Sequence, residues 1–291
     1  MTFSLPTGIH MRAFLRRVGK HIRKHWILDA FILFAVGFVM TPHRLERFFV
    51  YYPSRQLEGN PGNLGLAYED LTLITEDKLK LHGWFVPCAG ARATILIFHG
   101  NGGNISHRLP HIELLHNLAV HVFIFDYRGY GNSGGKPFEK GLYRDARAAY
   151  DWWIHQRPQR GEKLILFGES LGGAVAVHLG ARVPVSGLIL QSTFTSARDM
   201  AKTMMPLGLL FPVTGVQYDS RKDMAKIACP KLIIHGTRDE VVPFRLGQLL
   251  YEITPPPKFF YPVPGAGHND LLWVAGAEYS RKIESFLAGI Q

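Results

Sequence analysis

Leu164-Ile165-Leu166-Phe167-Gly168-Glu169-Ser170-Leu171-Gly172-Gly173 is the stretch on which the fold turns. Four consecutive apolar residues read as a strand buried on both faces. The run Ala174-Val175-Ala176-Val177-His178-Leu179 reads as a helix packed closely onto it. Between the two, a serine is framed by glycines that leave out the Cβ atoms which would collide in so tight a turn. Such an elbow lifts the serine hydroxyl above the sheet. The new helix then turns its first free N–H groups toward any anion formed there. Ser170 is the candidate nucleophile.

A serine nucleophile needs a base, and the base needs an orienting acid. With a strand–elbow–helix serine they are expected in the order acid then histidine, each on a loop after a late strand. Lys231-Leu232-Ile233-Ile234-His235 reads as a buried strand, with Asp239 in the loop Gly236-Thr237-Arg238-Asp239-Glu240. Phe259-Phe260-Tyr261 reads as the next strand, followed by Pro264-Gly265-Ala266-Gly267-His268-Asn269-Asp270. His268 is predicted to act as general base and then acid, and Asp239 to orient it. Glu240, one position further along its loop, faces another way. Asp270 suits a helix N-terminus. Asp219 has no strand before it and suits a turn or cap, while His235 reads as a hydrogen-bonded core residue.

The oxyanion of an acyl-transfer step needs two N–H donors. Leu171, after the serine, supplies one. The strand at residues 93–98 leads into His99-Gly100-Asn101-Gly102-Gly103-Asn104, and Asn101 is the expected second donor. This loop has neither the Lys-Ser/Thr ending of a P-loop nor the last glycine of a dinucleotide fingerprint. Two cysteines, Cys88 and Cys229, make neither a metal-ligand spacing nor a disulfide framework. No metal or organic cofactor is expected.

The chain has 291 residues, 47% of them hydrophobic, enough for one sizeable core. Its net charge of +10 is unevenly placed: six basic residues precede Trp26, and no acid appears before Asp29. A nucleic-acid partner would call for basic residues spread over a folded face, so that class is excluded. Met11, Phe14, Leu15, Val18 and Ile22 form an apolar stripe on this basic segment, which runs into an apolar stretch at residues 27–40. At 1.5 Å per residue that stretch spans about 21 Å, short of a bilayer core of about 30 Å. Residues 1–42 are expected to attach to a membrane, either as a single span with a cytoplasmic N-terminus or as an interfacial helix on the cytoplasmic side. The alternative is an ordinary surface helix.

Residues 43–291 then form one domain. A hairpin is predicted around Glu76-Asp77-Lys78, with strands near residues 94–98, 120–125, 164–167, 187–190, 232–235 and 259–261 and helices between nearly all of them. That is an α/β architecture with a mostly parallel sheet. The clearest helices lie at residues 144–156, where Trp152 and Trp153 read as core, and at 277–287. An insert at about 195–228, rich in Met and Leu, suits a lid over an acyl chain, or equally a face packed on the domain.

From about residue 51 onward the chain resembles the α/β-hydrolase superfamily. The matching strings are His99 to Asn104, Phe125-Asp126-Tyr127-Arg128-Gly129-Tyr130-Gly131, Gly168 to Gly173, His235 to Asp239 and Gly265 to Asp270. It is most similar to the membrane-anchored serine hydrolases, which include protein depalmitoylases and lysophospholipid lipases. The resemblance implies a central sheet of about eight strands covered by helices on both faces. It also implies cleavage of an ester or thioester with an apolar, lipid-like acyl part. A peptidase or amidase of the same fold, or a non-catalytic binding protein built on it, are the other readings. Asp126 and Arg128 fall in a motif that the resemblance marks as structural.

Overall fold

Short, mostly apolar strands build the structure, a computed structural model that describes residues 46–47, 50–156, 162–203 and 215–290. In chain order the strands are β1 (Tyr52–Pro53), β2 (Glu69–Ile74), β3 (Lys80–Val86), β4 (Thr94–Phe98), β5 (Gly102–Gly103) and β6 (His121–Phe125). They continue with β7 (Leu164–Glu169), β8 (Gly187–Gln191), β9 (Lys231–Gly236) and β10 (Lys258–Val263). The helices are α1 (Leu109–His116), α2 (Glu139–Gln156), α3 (Leu171–Gly180) and α4 (Ala197–Thr203). After them come α5 (Ser220–Met224), α6 (Phe244–Ile253), α7 (Leu271–Ala275) and α8 (Ala277–Ala288).

Eight strands form one sheet in the order β10-β9-β8-β7-β4-β6-β3-β2. Neighbours from β10 to β6 pair in parallel, and β3 and β2 close the sheet antiparallel as a hairpin. Every residue of β4, β8 and β9 is buried, as strands covered on both faces require. Leu96 and Phe98 of β4 point into one core layer with residues of α2, α3 and α6. Ile95 and Ile97 point into the other with α1, α7 and α8. Trp153 is buried and Trp152 packs beside it, both in the first layer.

The order also places the site. From β4 the chain crosses to β6 on one side, and from β7 it crosses to β8 on the other. The two connections diverge between β4 and β7, opening a crevice at the carboxyl ends of these adjacent strands. The glycine-rich loop after β4 and the serine elbow after β7 therefore face each other.

Two features differ from the sequence reading. Tyr52 and Pro53 pair in parallel with Gly102 and Gly103, so the start of the domain is stitched to the glycine loop. Helix α2 begins at Glu139, five residues before the expected start. The expected lid lies only partly among the described residues: Met200 packs on the core and Ala197 and Ala201 are buried, whereas 204–214 fall outside them. The N–H groups of Gln217 and Tyr218 donate to the Glu139 carboxylate at 2.8 and 2.7 Å. The expected membrane segment at 1–42 also lies outside the described residues. Among the described residues no helix is long and apolar enough to cross a membrane.

Candidate active site

Ser170 sits between β7 and α3 with φ 51° and ψ −118°, a backbone conformation that side chains rarely adopt. Close approach on both sides enforces it. A Cβ on Gly172 would stand 2.5 Å from the carbonyl oxygen of His99, and one on Gly168 would stand 2.5 Å from the Gly173 Cα. The elbow is thus pressed against the end of β4. Hydrogen bonds hold it there, from Ser170 N–H to the Gln191 carbonyl at 2.8 Å and from Thr193 Oγ1 to the Ser170 carbonyl at 2.7 Å.

The structure brings the other two predicted residues to this serine. His268 Nε2 lies 3.1 Å from Ser170 Oγ, and His268 Nδ1 lies 2.8 Å from Asp239 Oδ2. All three side chains are buried. A carboxylate can only accept, so the Nδ1 position carries the proton and bare Nε2 accepts from the serine hydroxyl. The loops that carry the pair are laced together: Arg238 N–H donates to the Ala266 carbonyl at 2.8 Å and Gly265 N–H to Thr237 Oγ1 at 2.9 Å.

Asp239 is held from four directions. Its Oδ1 accepts the N–H groups of Val241 at 2.9 Å and Val242 at 2.7 Å, while Oδ2 faces His268 and, at 3.3 Å, His235 Nε2. Burial pushes the carboxyl up, but hydrogen bonds from His235 and His268 outweigh it and hold Asp239 well below the usual carboxylate range. His235 is fully buried and donates from Nε2 to the Val242 carbonyl at 2.8 Å. Its place behind the acid is a role the sequence did not reveal, because only the bend of the loop brings two residues four apart into contact.

The competing acids stand elsewhere. Asp219 caps α5 by accepting from Lys222 N–H, and Asp270 accepts from Gly267 N–H at 2.7 Å at the start of α7. Asp126 and Arg128 are buried ties: Asp126 accepts from Ile105 N–H at 3.0 Å, and Arg128 bonds Asp145 and Asp77.

The two expected oxyanion donors lie on the elbow and on the loop after β4. Leu171 is the first residue of α3, where an N–H has no acceptor within its helix. Asn101 lies on a loop whose carbonyls are each held from behind. His99 Nδ1 donates to Gly100 O at 2.8 Å, Tyr130 Oη to Asn101 O at 2.9 Å and Arg108 Nη2 to Gly102 O at 3.3 Å. The Gly100 carbonyl and the Asn101 N–H belong to one trans peptide, so fixing the first aims the second the opposite way. Burial drives His99 down from 6.5 to about 4, which keeps the ring neutral at neutral pH.

A buried serine–histidine–aspartate relay beside a glycine loop, at the divergence of a mostly parallel sheet, defines the α/β-hydrolase class of fold. Comparison with known proteins places the chain within it. Residues 89–217 match the family described as serine aminopeptidase, S33. Protein bem46 of Schizosaccharomyces pombe is 34% identical over 274 residues, covering 89% of this chain and 90% of that protein. The α/β hydrolase domain-containing protein WAV2 of Arabidopsis thaliana is 36% identical over 257 residues, covering 79% of this chain and 82% of its own. The uncharacterized protein Rv2307c of Mycobacterium tuberculosis is 35% identical over 257 residues, covering 88% and 92%. The chain belongs to this family of α/β-hydrolase domain proteins. Among solved structures, the Pyrococcus furiosus esterase Pf2001 superposes with a TM-score of 0.70 at 24% identity, over 82% of this chain and 97% of that one.

Proposed function

We propose that the protein is a serine hydrolase that cleaves a carboxylic ester or thioester with an apolar acyl part. The observation that carries this reading is the strained Ser170, 3.1 Å from a histidine whose other nitrogen meets a buried aspartate. Ser170 Oγ attacks the substrate carbonyl while His268 Nε2 takes its proton. The tetrahedral oxyanion is received by the N–H groups of Leu171 and Asn101. As the intermediate collapses, the bond to the leaving group breaks and the imidazolium returns the proton to the departing oxygen or sulfur. Water, deprotonated by the same nitrogen, then attacks the acyl-serine and releases the acid. The apolar acyl preference rests on the Met- and Leu-rich composition of residues 195–228, and attachment to a membrane rests on the basic and apolar residues 1–42.

The family match described as a serine aminopeptidase favours a second reading, hydrolysis of an aminoacyl amide. A fluorophosphonate probe on the full chain tests the serine: the parent is expected to label, and Ser170→Ala and His268→Ala to lose labelling. A folded parent that does not label refutes the reading. p-Nitrophenyl esters of graded chain length, a palmitoyl thioester and an aminoacyl p-nitroanilide then separate ester, thioester and amide cleavage.

A further inference from the structure

Glu169, the residue directly before the nucleophile, poses an electrostatic problem. Its carboxylate lies against Gly100, on the loop that carries the expected second oxyanion donor, and an unbalanced negative charge there would oppose a developing oxyanion. Arg108 answers it from the segment after the glycine loop. Its Nε donates to Glu169 Oε2 at 2.8 Å, and both side chains are only 12% exposed. Burial alone would raise the Glu169 carboxyl, but the charge of Arg108, with lesser contributions from His111, His99 and the Arg108 hydrogen bond, holds it below its usual value.

The same guanidinium makes a second contact. Its Nη2 donates to the Gly102 carbonyl at 3.3 Å, on the loop that carries Asn101. The loop lies flat against the ion pair: a Cβ on Gly100 would come within 3.1 Å of Glu169 Oε1 and 3.2 Å of Arg108 Nη2. One planar fork therefore spans the elbow and the glycine loop, a geometry a lysine ammonium cannot reproduce. The reacting serine and its oxyanion donors lie on these two elements, and Arg108 is the charged side chain that joins them.

We propose that Arg108 is a positioning residue of the oxyanion hole, neutralising Glu169 and drawing the glycine loop onto the nucleophile elbow. The inference rests on the serine-hydrolase reading and adds to it a residue that touches neither substrate nor triad. Its effect belongs in the transition state, because the charge it balances opposes the oxyanion rather than the bound ester.

The test measures kcat and KM for p-nitrophenyl butyrate, and the rate of fluorophosphonate labelling, with the full chain and its variants. Arg108→Ala is expected to lower kcat by about 10- to 100-fold with KM within about threefold, since small misplacements and lost oxyanion stabilisation act at this scale. Removing the unbalanced charge in the double variant Arg108→Ala/Glu169→Gln is expected to restore part of that loss, which a purely structural role would not do. Arg108→Lys, retaining the charge but not the fork, is expected to fall between parent and Arg108→Ala, and it carries the test if Arg108→Ala does not fold. A kcat for Arg108→Ala within twofold of the parent, a double variant no better than Arg108→Ala, or an Arg108→Lys equal to the parent overturns the proposal. A parent that neither turns over nor labels overturns the hydrolase reading and this inference together. A working parent with an indifferent Arg108→Ala overturns this inference alone.

Discussion

Replacing Asp239 by Asn removes one charge and almost no volume, so it probes orientation rather than packing. The native carboxylate accepts four contacts, two from backbone N–H groups at Oδ1 and two from histidine nitrogens at Oδ2. An amide cannot accept on both sides. If its oxygen stays on Val241 and Val242, its NH2 group faces His268 Nδ1 and forces that nitrogen to accept. The imidazole proton then moves to Nε2, which points at Ser170 Oγ and can no longer take the serine proton. The same NH2 also meets the Nε2 proton of His235, which is committed to the Val242 carbonyl. If the amide flips, the histidines keep an acceptor but two buried backbone N–H groups face an NH2 group. Leaving each such donor unpaired costs about 1–3 kcal/mol, so the unflipped form with the wrong tautomer wins. The expected result is a fall in kcat at neutral pH of about four orders of magnitude, or about 5.5 kcal/mol of barrier, as when the aspartate of a serine triad becomes an amide in other enzymes. Steady-state hydrolysis of a p-nitrophenyl ester, with circular dichroism and a thermal melt to check the fold, measures it. A folded Asp239→Asn variant within tenfold of the parent would remove Asp239 from the relay.

Two further outcomes follow from strain and burial. Ser170→Gly is expected to abolish turnover yet raise Tm by a few degrees, since a glycine tolerates φ 51° and ψ −118° and the relieved strain is worth on the order of 1 kcal/mol net of glycine's entropy; an unchanged or lower Tm by calorimetry refutes the claim that the elbow stores strain. Burial, aided by Arg182, pushes His178 down from 6.5 to about 4 where its ring stacks on Tyr143 at 3.5 Å. The fold disfavours its charged form, so the stability this contributes is complete above about 6.5 and lost as pH falls toward 4. His178→Gln is expected to flatten the decline of Tm over that window, leaving the share from His99 and His111, and a melt series whose slope does not change refutes it.

The elbow and the histidine loop were legible because their information is local and ordered. A glycine frame around one serine between an apolar run and a small-residue helix has few other uses. Acid and histidine then follow in chain order after strands whose apolar runs are easily seen. The eight-strand sheet was legible for the same reason, since strands such as β4 and β8 are continuously apolar and their buried faces leave little choice of partner. The short stitch of β1 to β5 was not legible, because Tyr52-Pro53 and Gly102-Gly103 carry no apolar pattern and their pairing is decided by where the glycine loop already lies. Helix α2 starts early for a similar reason: Glu139 looks like a solvated charge until residues 217 and 218 return to donate to its carboxylate.

The ion pair beside the elbow was hidden for one physical reason. Arg108 and Glu169 are sixty-one positions apart and meet because β4 and β7 are neighbours although the chain visits β6 between them. Read in isolation, Arg108 is one more basic residue before a helix and Glu169 is the variable position of a glycine–serine string. Once the crossing is known, a buried carboxylate beside Ser170 demands a partner, and the segment after the facing glycine loop supplies it as Arg108. The serine, histidine and aspartate of the candidate site are therefore written along the chain, whereas the ion pair beside them is written across the sheet.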